Sequence, residues 1–197
     1  VGPLGKPTEI KNYGTVVCAG GGVGTAPLLP IVEALKKAGN RVITVIAGRS
    51  KELIILEKEM QEYSDEVIIM TDDGSYGEKM FTTQKLEELI QKGEKFDEIV
   101  AVGPPIMMKL VCQIAEKYNI PSVASLTAYM IDGTGMCGGC RCKIGGEDKF
   151  VCVDGPEFDG ALVDWDDLIK RSAYYKEQEA EDRAHVCRLT GGVRYHD

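Results

Sequence analysis

The stretch TVVCAGGGVGTAPLLPIVEAL, residues 15–35, joins a short valine-rich run to an amphipathic segment through a cluster of glycines. The valine-rich run is apolar at successive positions, which predicts a parallel strand buried on both faces of a sheet. Thr25 is the predicted N-cap of the following helix, and Pro27 fits the first turn, where the missing N–H of proline costs no hydrogen bond. A glycine loop between a strand and a helix N-terminus favours a phosphate, because backbone N–H groups and the helix dipole point there.

The same strand–helix unit repeats along the next part of the chain. Further strands are predicted at Arg41–Ala47, Glu66–Thr71, Asp97–Val102 and Pro121–Leu126, and further helices at Lys51–Tyr63, Thr83–Lys92 and Ile106–Tyr118. Five strands that alternate with helices indicate an α/β fold with a five-stranded, doubly wound parallel sheet. Such sheets bind ligands at the carboxyl ends of their strands, so we expect the functional site at that edge.

Composition and charge argue against several function classes. The chain of 197 residues has a net charge of −8 and therefore nothing to neutralise a phosphate backbone, so nucleic acid is not an expected partner. No apolar run approaches the roughly 18 residues that span a membrane, and no signal peptide opens the sequence. We therefore expect a cytoplasmic protein without a membrane partner, whose cysteines are metal ligands or free thiols rather than disulfides.

The glycine loop differs from the usual dinucleotide-binding fingerprint. The segment GVGTAP, residues 22–27, has proline where the third glycine of that fingerprint belongs. The segment GRS, residues 48–50, follows the second strand in the place of an acidic residue that would bind a ribose hydroxyl. The glycine loop alone leaves nucleotide binding open, and the loops at residues 71–77 and 103–105, at two other strand ends, favour it.

A second dense motif runs from Asp132 to Cys152, DGTGMCGGCRCKIGGEDKFVC, and holds four of the seven cysteines. Thiolates at this density usually bind a metal, and the glycines among them let the backbone bring several sulfurs to one centre. Spacing alone leaves two kinds of site open. One is an iron–sulfur cluster, and the other is a zinc site formed by Cys137, Cys140, Cys142 and Cys152.

The rest of the chain divides around these two motifs. We expect a linker at residues 1–13, a nucleotide-binding domain at 14–128, a metal-binding segment at 129–163, and a C-terminal helix and tail at 164–197. Asp164 begins the last part with a capping-box-like pattern and an acidic first turn. This pattern predicts a polar helix to about Arg183, followed by a tail from His185.

Four motifs resemble the pyridine-nucleotide domain of the ferredoxin–NADP reductase superfamily: GGGVGTAP at 20–27, AGRS at 47–50, TDDGSYG at 71–77 and VGPPIMM at 102–108. Two later motifs are more specific: DGTGMCGGC at 132–140 and FVCVDGPEFDG at 150–160. They resemble the small (alpha) subunits of NADH-dependent reduced-ferredoxin:NADP oxidoreductases, also called sulfide dehydrogenase small subunits. The electron-transfer subunit of dihydroorotate dehydrogenase is the wider relative.

The resemblance implies electron transfer between NAD(P)H, FAD and a [2Fe-2S] cluster. In that family an N-terminal β-barrel binds FAD, and the first 13 residues resemble the junction after such a barrel, so we expect the FAD domain to be missing from this sequence. The implied acceptor is a larger oxidoreductase subunit, glutamate synthase-like or dihydroorotate dehydrogenase-like, with ferredoxin as a further partner. The cofactors carry the chemistry, so no catalytic side chain is expected, and this part alone is expected to be inactive.

The family's nucleotide contacts map onto residues of the predicted strand ends. The resemblance implies pyrophosphate binding by Gly20, Gly21, Gly22, Gly24 and Thr25, ribose contacts from Arg49 and Ser50, a cleft lined by Asp72, Asp73, Ser75 and Tyr76, and a nicotinamide site near Gly103, Pro104 and Met107. Arg49 is compatible both with a 2′-phosphate and with adenine stacking, so the choice between NADH and NADPH stays open.

The resemblance also implies the metal ligands Asp132, Cys137, Cys140 and Cys152. Relatives of the dihydroorotate type have a cysteine in the place of Asp132. An oxygen ligand donates less charge than a thiolate, so we expect a higher cluster potential than with four cysteines. Cys142 is then expected to pack in the core beside Ile144. The alternative function is a non-catalytic nucleotide-binding module with a structural four-cysteine zinc site.

Overall fold

The computed structural model describes residues 2–184 of the chain. Its strands are β1 Thr15–Gly21, β2 Arg41–Gly48, β3 Glu66–Thr71, β4 Glu98–Val102, β5 Ser122–Ser125, β6 Arg141–Ile144, β7 Glu147–Phe150 and β8 Glu157–Asp159. Its α-helices are α1 Thr25–Lys37, α2 Glu57–Tyr63, α3 Thr82–Gln91, α4 Pro105–Lys117, α5 Val151–Asp154, α6 Trp165–Ser172 and α7 Lys176–Ala184. None of the helices within these residues is long and apolar enough to cross a membrane. Val1 and the predicted tail from His185 lie outside the described residues.

The main sheet has six strands in the order β3-β2-β1-β4-β5-β8. The first five pair in parallel, which confirms the predicted α/β fold, and β8 pairs antiparallel with β5 at one edge. We did not predict β8, because three residues with two acidic side chains carry no strand pattern. Its pairing attaches the end of the cysteine-bearing segment to the sheet.

Helices cover both faces of the sheet, as the doubly wound prediction requires. Alternate side chains of β1 point to opposite faces, so Val16 packs in the core beneath α1 and α2, and Val17 packs in the core beneath α3 and α4. Leu28 of α1 and Leu86 of α3 are fully buried on the two sides. Burial of apolar side chains on both faces explains why the strands read as continuous hydrophobic runs.

The start of α1 differs from the prediction. β1 continues to Gly21, a 3-10 turn spans Gly22–Gly24, and Gly24 is the N-cap of α1. The prediction that Thr25 is the N-cap was wrong, since Thr25 is the first residue of the helix itself. Its side chain is fully buried, and its Oγ1 has no hydrogen-bond partner among the described residues.

Only the second half of the predicted helix Lys51–Tyr63 is α-helical. Lys51–Leu53 form a 3-10 turn, and α2 begins after Leu56, whose φ of 59° lies in the left-handed region. The side chain of Ile54 packs against the core beneath α1, which draws this segment out of helical geometry. The sequence prediction of one helix from Lys51 to Tyr63 did not include this break, which falls within the four apolar residues 53–56.

The C-terminal helices attach the cysteine-bearing segment to the domain. Asp164 caps α6 as predicted, since its side chain accepts a hydrogen bond from the Asp167 N–H at 3.0 Å. Trp165 is buried and donates from Nε1 to the Gly160 carbonyl at 3.1 Å. A single helix to about Arg183 was wrong, because a turn at residues 173–175 separates α6 from α7.

Candidate nucleotide cleft and cysteine site

The glycine turn after β1 lies directly against the connection from β4 to α4. A methyl group placed on Gly24 would lie 2.5 Å from the Val102 carbonyl oxygen, and one on Gly21 would lie 2.5 Å from the Met107 sulfur. A methyl group on Gly22 would meet nothing within 4 Å. Gly21 and Gly24 therefore pack closely against the β4–α4 connection, whereas the space next to Gly22 is empty.

The N-terminus of α1 fits a bound phosphate. No side chain caps the helix, and its first turn contains no acidic residue. The first N–H groups of the helix therefore have no intrahelical partner, and the dipole there favours an anion. The unpartnered Oγ1 of Thr25 is buried and faces Gly20 of β1, where an added methyl group would lie 3.1 Å from it. This end of the helix has hydrogen-bond donors and no competing negative charge.

The loops after β2 and β3 lie side by side at the same edge of the sheet. The Asp73 N–H donates to the Arg49 carbonyl at 3.2 Å, and the Ser75 Oγ accepts a hydrogen bond from the Lys51 N–H at 2.9 Å. Asp73 Oδ1 accepts from both the hydroxyl and the N–H of Ser75, which lowers the pKa of Asp73. The structure thus brings together the predicted ribose residues Arg49 and Ser50 and the predicted cleft loop.

Tyr76 has a structural partner that the sequence did not reveal. Its hydroxyl donates to the Glu57 carboxylate at 2.9 Å, which raises the pKa of Tyr76, and the Lys51 ammonium lies 5.3 Å from its ring centre. Buried Thr71 supports the same loop, since its hydroxyl donates to the Tyr76 carbonyl at 2.6 Å. Glu57 and Thr71 hold the cleft loop, and only their contacts in the fold show this role.

Met107 lies between the glycine turn and the start of α4. Its methyl carbon would be 3.0 Å from a side chain added to Gly103, and its N–H donates to the Pro104 carbonyl at 2.9 Å. The predicted nicotinamide residues therefore lie against the predicted pyrophosphate turn. Asp72 joins them at this edge through its N–H, which donates to the Gly48 carbonyl at 3.0 Å.

The cysteine segment brings two sulfurs into contact. Cys140 and Cys152 are buried, and their Sγ atoms are 3.3 Å apart. Backbone N–H groups point at sulfur: Cys152 donates to the Cys140 Sγ, and Gly139 donates to the Sγ of exposed Cys137, both at 3.4 Å. Burial raises the pKa of the Cys152 thiol, and the thiolate is the form of cysteine that would bind a metal.

Asp132 orders the loop that carries Cys137. Its two carboxylate oxygens accept from the Thr134 N–H at 3.0 Å and the Cys137 N–H at 2.8 Å. The hydrogen bond from the Thr134 N–H, and then that from the Cys137 N–H, lower the pKa of Asp132. Across residues 2–184, no three acidic, histidine or cysteine side chains already converge as a metal-binding group. Asp132, Cys137, Cys140 and Cys152 stay predicted ligands.

Cys142 is buried in the same hydrophobic core as Cys140 and Cys152, but it lies on a regular strand. It lies on β6 opposite Lys149 and belongs to the main hydrophobic core. Burial, reinforced by the neighbouring Cys140, raises the pKa of the Cys142 thiol to about 11. A neutral buried thiol fits the predicted packing role.

Comparison with known proteins finds two separate matches along the chain. Residues 18–113 match the oxidoreductase NAD-binding domain, and residues 127–164 match the iron–sulfur cluster binding domain of dihydroorotate dehydrogenase B. The fold and these two matches define an NAD-binding oxidoreductase domain followed by an iron–sulfur binding domain. The second match favours iron–sulfur over the zinc site that cysteine spacing left open.

Individual proteins similar to this chain indicate which kind of oxidoreductase it resembles. The chain is 52% identical over 179 residues to the dihydroorotate dehydrogenase B (NAD+) electron transfer subunit homolog of Thermotoga maritima, covering 91% of this chain and 63% of that protein. A probable electron transfer subunit of the same enzyme in Methanocaldococcus jannaschii is 42% identical, with 86% and 62% covered. The solved structure of an NADH-dependent reduced ferredoxin–NADP oxidoreductase aligns with a TM-score of 0.83 at 50% identity, covering 91% of this chain and 64% of that one.

These findings confirm the resemblance that the motifs indicated. Close homologues of this chain are homologs of the electron transfer subunit of dihydroorotate dehydrogenase B, and one structural neighbour is an NADH-dependent reduced ferredoxin–NADP oxidoreductase. The chain spans 63% of the length of its Thermotoga relative.

Proposed function

We propose that this chain is the electron-transfer part of an NAD(P)H oxidoreductase and passes electrons between NAD(P)H, FAD and a [2Fe-2S] cluster to a larger partner subunit. The partner is glutamate synthase-like or dihydroorotate dehydrogenase-like. FAD is held mainly by a domain outside these residues, as the family resemblance implies. The cofactors supply the redox chemistry, and the chain supplies their position and electrostatic environment.

One observation carries the proposal: two unlike sites share a single core. Cys140 and Cys152 belong to the same hydrophobic cluster as Met108 of α4 and Ala19 of β1, the strand that ends in the glycine turn. A nucleotide site and a thiol site on one packed unit suit electron transfer between them better than they suit two independent binding functions.

At the nucleotide site, backbone donors bind the pyrophosphate. The N–H groups in the first turn of α1 that follow Thr25, together with Gly22, receive it. Arg49 and Ser50 contact the ribose. Met107 and Pro104 orient the nicotinamide, since both lie beside the glycine turn.

At the cysteine site, Cys137, Cys140, Cys152 and Asp132 hold the cluster. The buried Cys140–Cys152 pair forms the inner side, and exposed Cys137 forms the side towards solvent. The carboxylate of Asp132 is next to Cys137 through its hydrogen bond to the Cys137 N–H. An oxygen ligand at this position raises the cluster potential above that of an all-cysteine site.

Metal analysis of anaerobically purified protein tests this function. We expect iron and acid-labile sulfide in equal amounts, a brown colour with broad visible absorption, and an EPR signal in the reduced state. Stoichiometric zinc without iron would contradict the proposal and support a nucleotide-binding module with a structural zinc.

A second measurement tests the place of FAD. Isothermal titration should show NADH binding to flavin-free protein, and stopped-flow absorption should show no useful rate of cluster reduction by NADH. Rapid bleaching of the cluster without flavin would contradict the assigned order of electron flow.

A further inference from the structure

A cavity of about 290 Å³ opens between the cysteine segment and the end of α6. We call it the tyrosine–arginine pocket after its main lining residues. They are Tyr129, Arg141, Leu168, Arg171, Tyr174 and Tyr175. The nucleotide and the predicted cluster use none of these side chains.

Three tyrosine rings are held in place around the pocket although two of them are largely exposed. Tyr129 and Tyr175 stack edge to face with ring centres 5.2 Å apart, and Tyr174 lies 6.2 Å from Tyr175. The Tyr129 hydroxyl donates to the Glu179 carboxylate at 2.7 Å. Tyr174 and Tyr175 remain 74% and 52% exposed. Exposed, ordered aromatic rings are typical of protein interfaces, where tyrosine and arginine contribute most of the binding energy.

The pocket also contains two guanidinium groups, those of Arg141 and Arg171. Arg141 has one distant partner, Asp148 at 3.6 Å, and Arg171 forms no ion pair with any residue between 2 and 184. One carboxylate, that of Glu179, lies next to the pocket, where it accepts a hydrogen bond from the Tyr129 hydroxyl. Guanidinium groups bind carboxylates through two parallel hydrogen bonds, so two arginines in one pocket favour a carboxylate.

The pocket contacts the loop that carries the cysteines. Ile131 and Gly139 form part of its lining, and Ile131 is 81% exposed. Gly139 precedes Cys140 and donates its N–H to the Cys137 sulfur. A group bound in the pocket therefore lies against the predicted cluster ligands, at a place suited to electron transfer.

We propose that the tyrosine–arginine pocket receives an aspartate or glutamate side chain of the larger oxidoreductase subunit, and that the exposed tyrosines form the surrounding interface. This inference rests on the proposed function. The cavity lies at the lower edge of the roughly 300–1,000 Å³ range of small-molecule sites, and its two guanidinium groups suit a carboxylate side chain. The exposed rings of Tyr174 and Tyr175 and the exposed side chain of Ile131 supply the apolar contact area that a protein partner would bury.

Charge reversal in the pocket tests the proposal. The full chain is purified with its cluster, and its binding to the larger subunit with which it co-purifies is measured by surface plasmon resonance at several salt concentrations. Arg171→Glu should weaken binding by roughly 30-fold or more, and Tyr174→Ala by about 10-fold. Lys170→Glu is the matched control, because Lys170 lies in the same last turn of α6 but outside the pocket, and should change affinity less than about 2-fold.

The outcomes separate docking from the proposed function. Wild-type affinity in both Arg171→Glu and Tyr174→Ala would overturn the docking site, and so would equal losses in Lys170→Glu and Arg171→Glu. If Arg171→Glu does not fold, the affinities of Arg171→Gln and of the surface variant Tyr174→Ala for the larger subunit test the docking site instead. Benzoate serves as a free carboxylate probe. If benzoate binds the pocket while none of these variants changes binding of the larger subunit, the pocket is a small-molecule site and the proposal is overturned. Iron content and NADH binding report the proposed function independently, since neither needs the partner.

Discussion

The glycine turn and the cysteine segment are built in opposite ways. In the turn, backbone lies against backbone, so that a methyl group on Gly24 would come within 2.5 Å of the Val102 carbonyl oxygen. In the cysteine segment, side chains make the key contacts, such as the 3.3 Å approach of the Cys140 and Cys152 sulfurs. The comparison teaches that close backbone packing at the sheet edge shapes the glycine turn, whereas side chains shape the cysteine site. Metal sites usually gain their final geometry on binding, so the cysteine site depends on its cluster.

The largest expected effect concerns the cysteine segment, where two neighbouring cysteines should behave differently. Cys140→Ser should abolish iron binding, because it removes a buried sulfur that contacts Cys152. Cys142→Ser should retain iron and lower the free energy of unfolding by about 1–3 kcal/mol, because a hydroxyl replaces a thiol in an apolar core. Iron analysis and urea unfolding measure the two effects. Loss of iron in Cys142→Ser would instead make Cys142 a ligand.

The next effect concerns the glycine turn. Gly24→Ala should destabilise the fold by about 3 kcal/mol or more and abolish NADH binding, because backbone must move away from Val102. Gly22→Ala is the control, since its methyl group meets open space and only its φ of 54° resists the change, at a cost of about 1–2 kcal/mol. Urea unfolding distinguishes the two. Equal costs would show that close packing does not shape the turn.

The contrast between local and distant contacts also explains which elements of the fold were predicted correctly from the sequence. The alternation of apolar runs and amphipathic segments predicted five parallel strands, and the bounds of α3 and α4 differ from prediction by one residue at each end. These elements follow local periodicity, which any segment carries within itself. The prediction failed at Thr25 and at Lys51–Leu56, where contacts with distant parts of the chain override the local pattern.

The sites were predictable to different extents for the same reason. Strand order places Gly22, Arg49 and Asp73 at one edge, so their grouping follows from topology. Glu57 and Thr71 escaped notice because their partner, Tyr76, lies several residues away on a loop without periodicity. The tyrosine–arginine pocket depends on the turn between α6 and α7, which a helix-favouring sequence does not reveal.

Asp132 has two predicted roles, as a ligand of the cluster and as the acceptor that orders the Cys137 loop, and substitutions can test them separately. Asp132→Cys should keep the cluster and lower its midpoint potential by tens of millivolts, because thiolate donates more charge to iron than carboxylate does. Asp132→Asn keeps an oxygen that can accept the Cys137 N–H and so separates loop order from ligand charge. A potentiometric titration followed by EPR measures both variants. Unchanged EPR spectra and potentials in both, and in Asp132→Ala, would leave Asp132 as a loop support only.

The smallest expected effect lies in the part of the nucleotide site that side chains do hold. Tyr76→Phe removes the hydrogen bond to Glu57 and should lower the free energy of unfolding by about 1 kcal/mol, with NADH affinity falling a few-fold as the cleft loop loosens. Glu57→Gln keeps an acceptor for the Tyr76 hydroxyl and should retain most of the affinity. Titration calorimetry compares the variants. If Tyr76→Phe binds NADH as tightly as the parent chain, the backbone alone positions the cleft loop. The nucleotide site would then depend on backbone contacts throughout, whereas the cysteine segment depends on side chains.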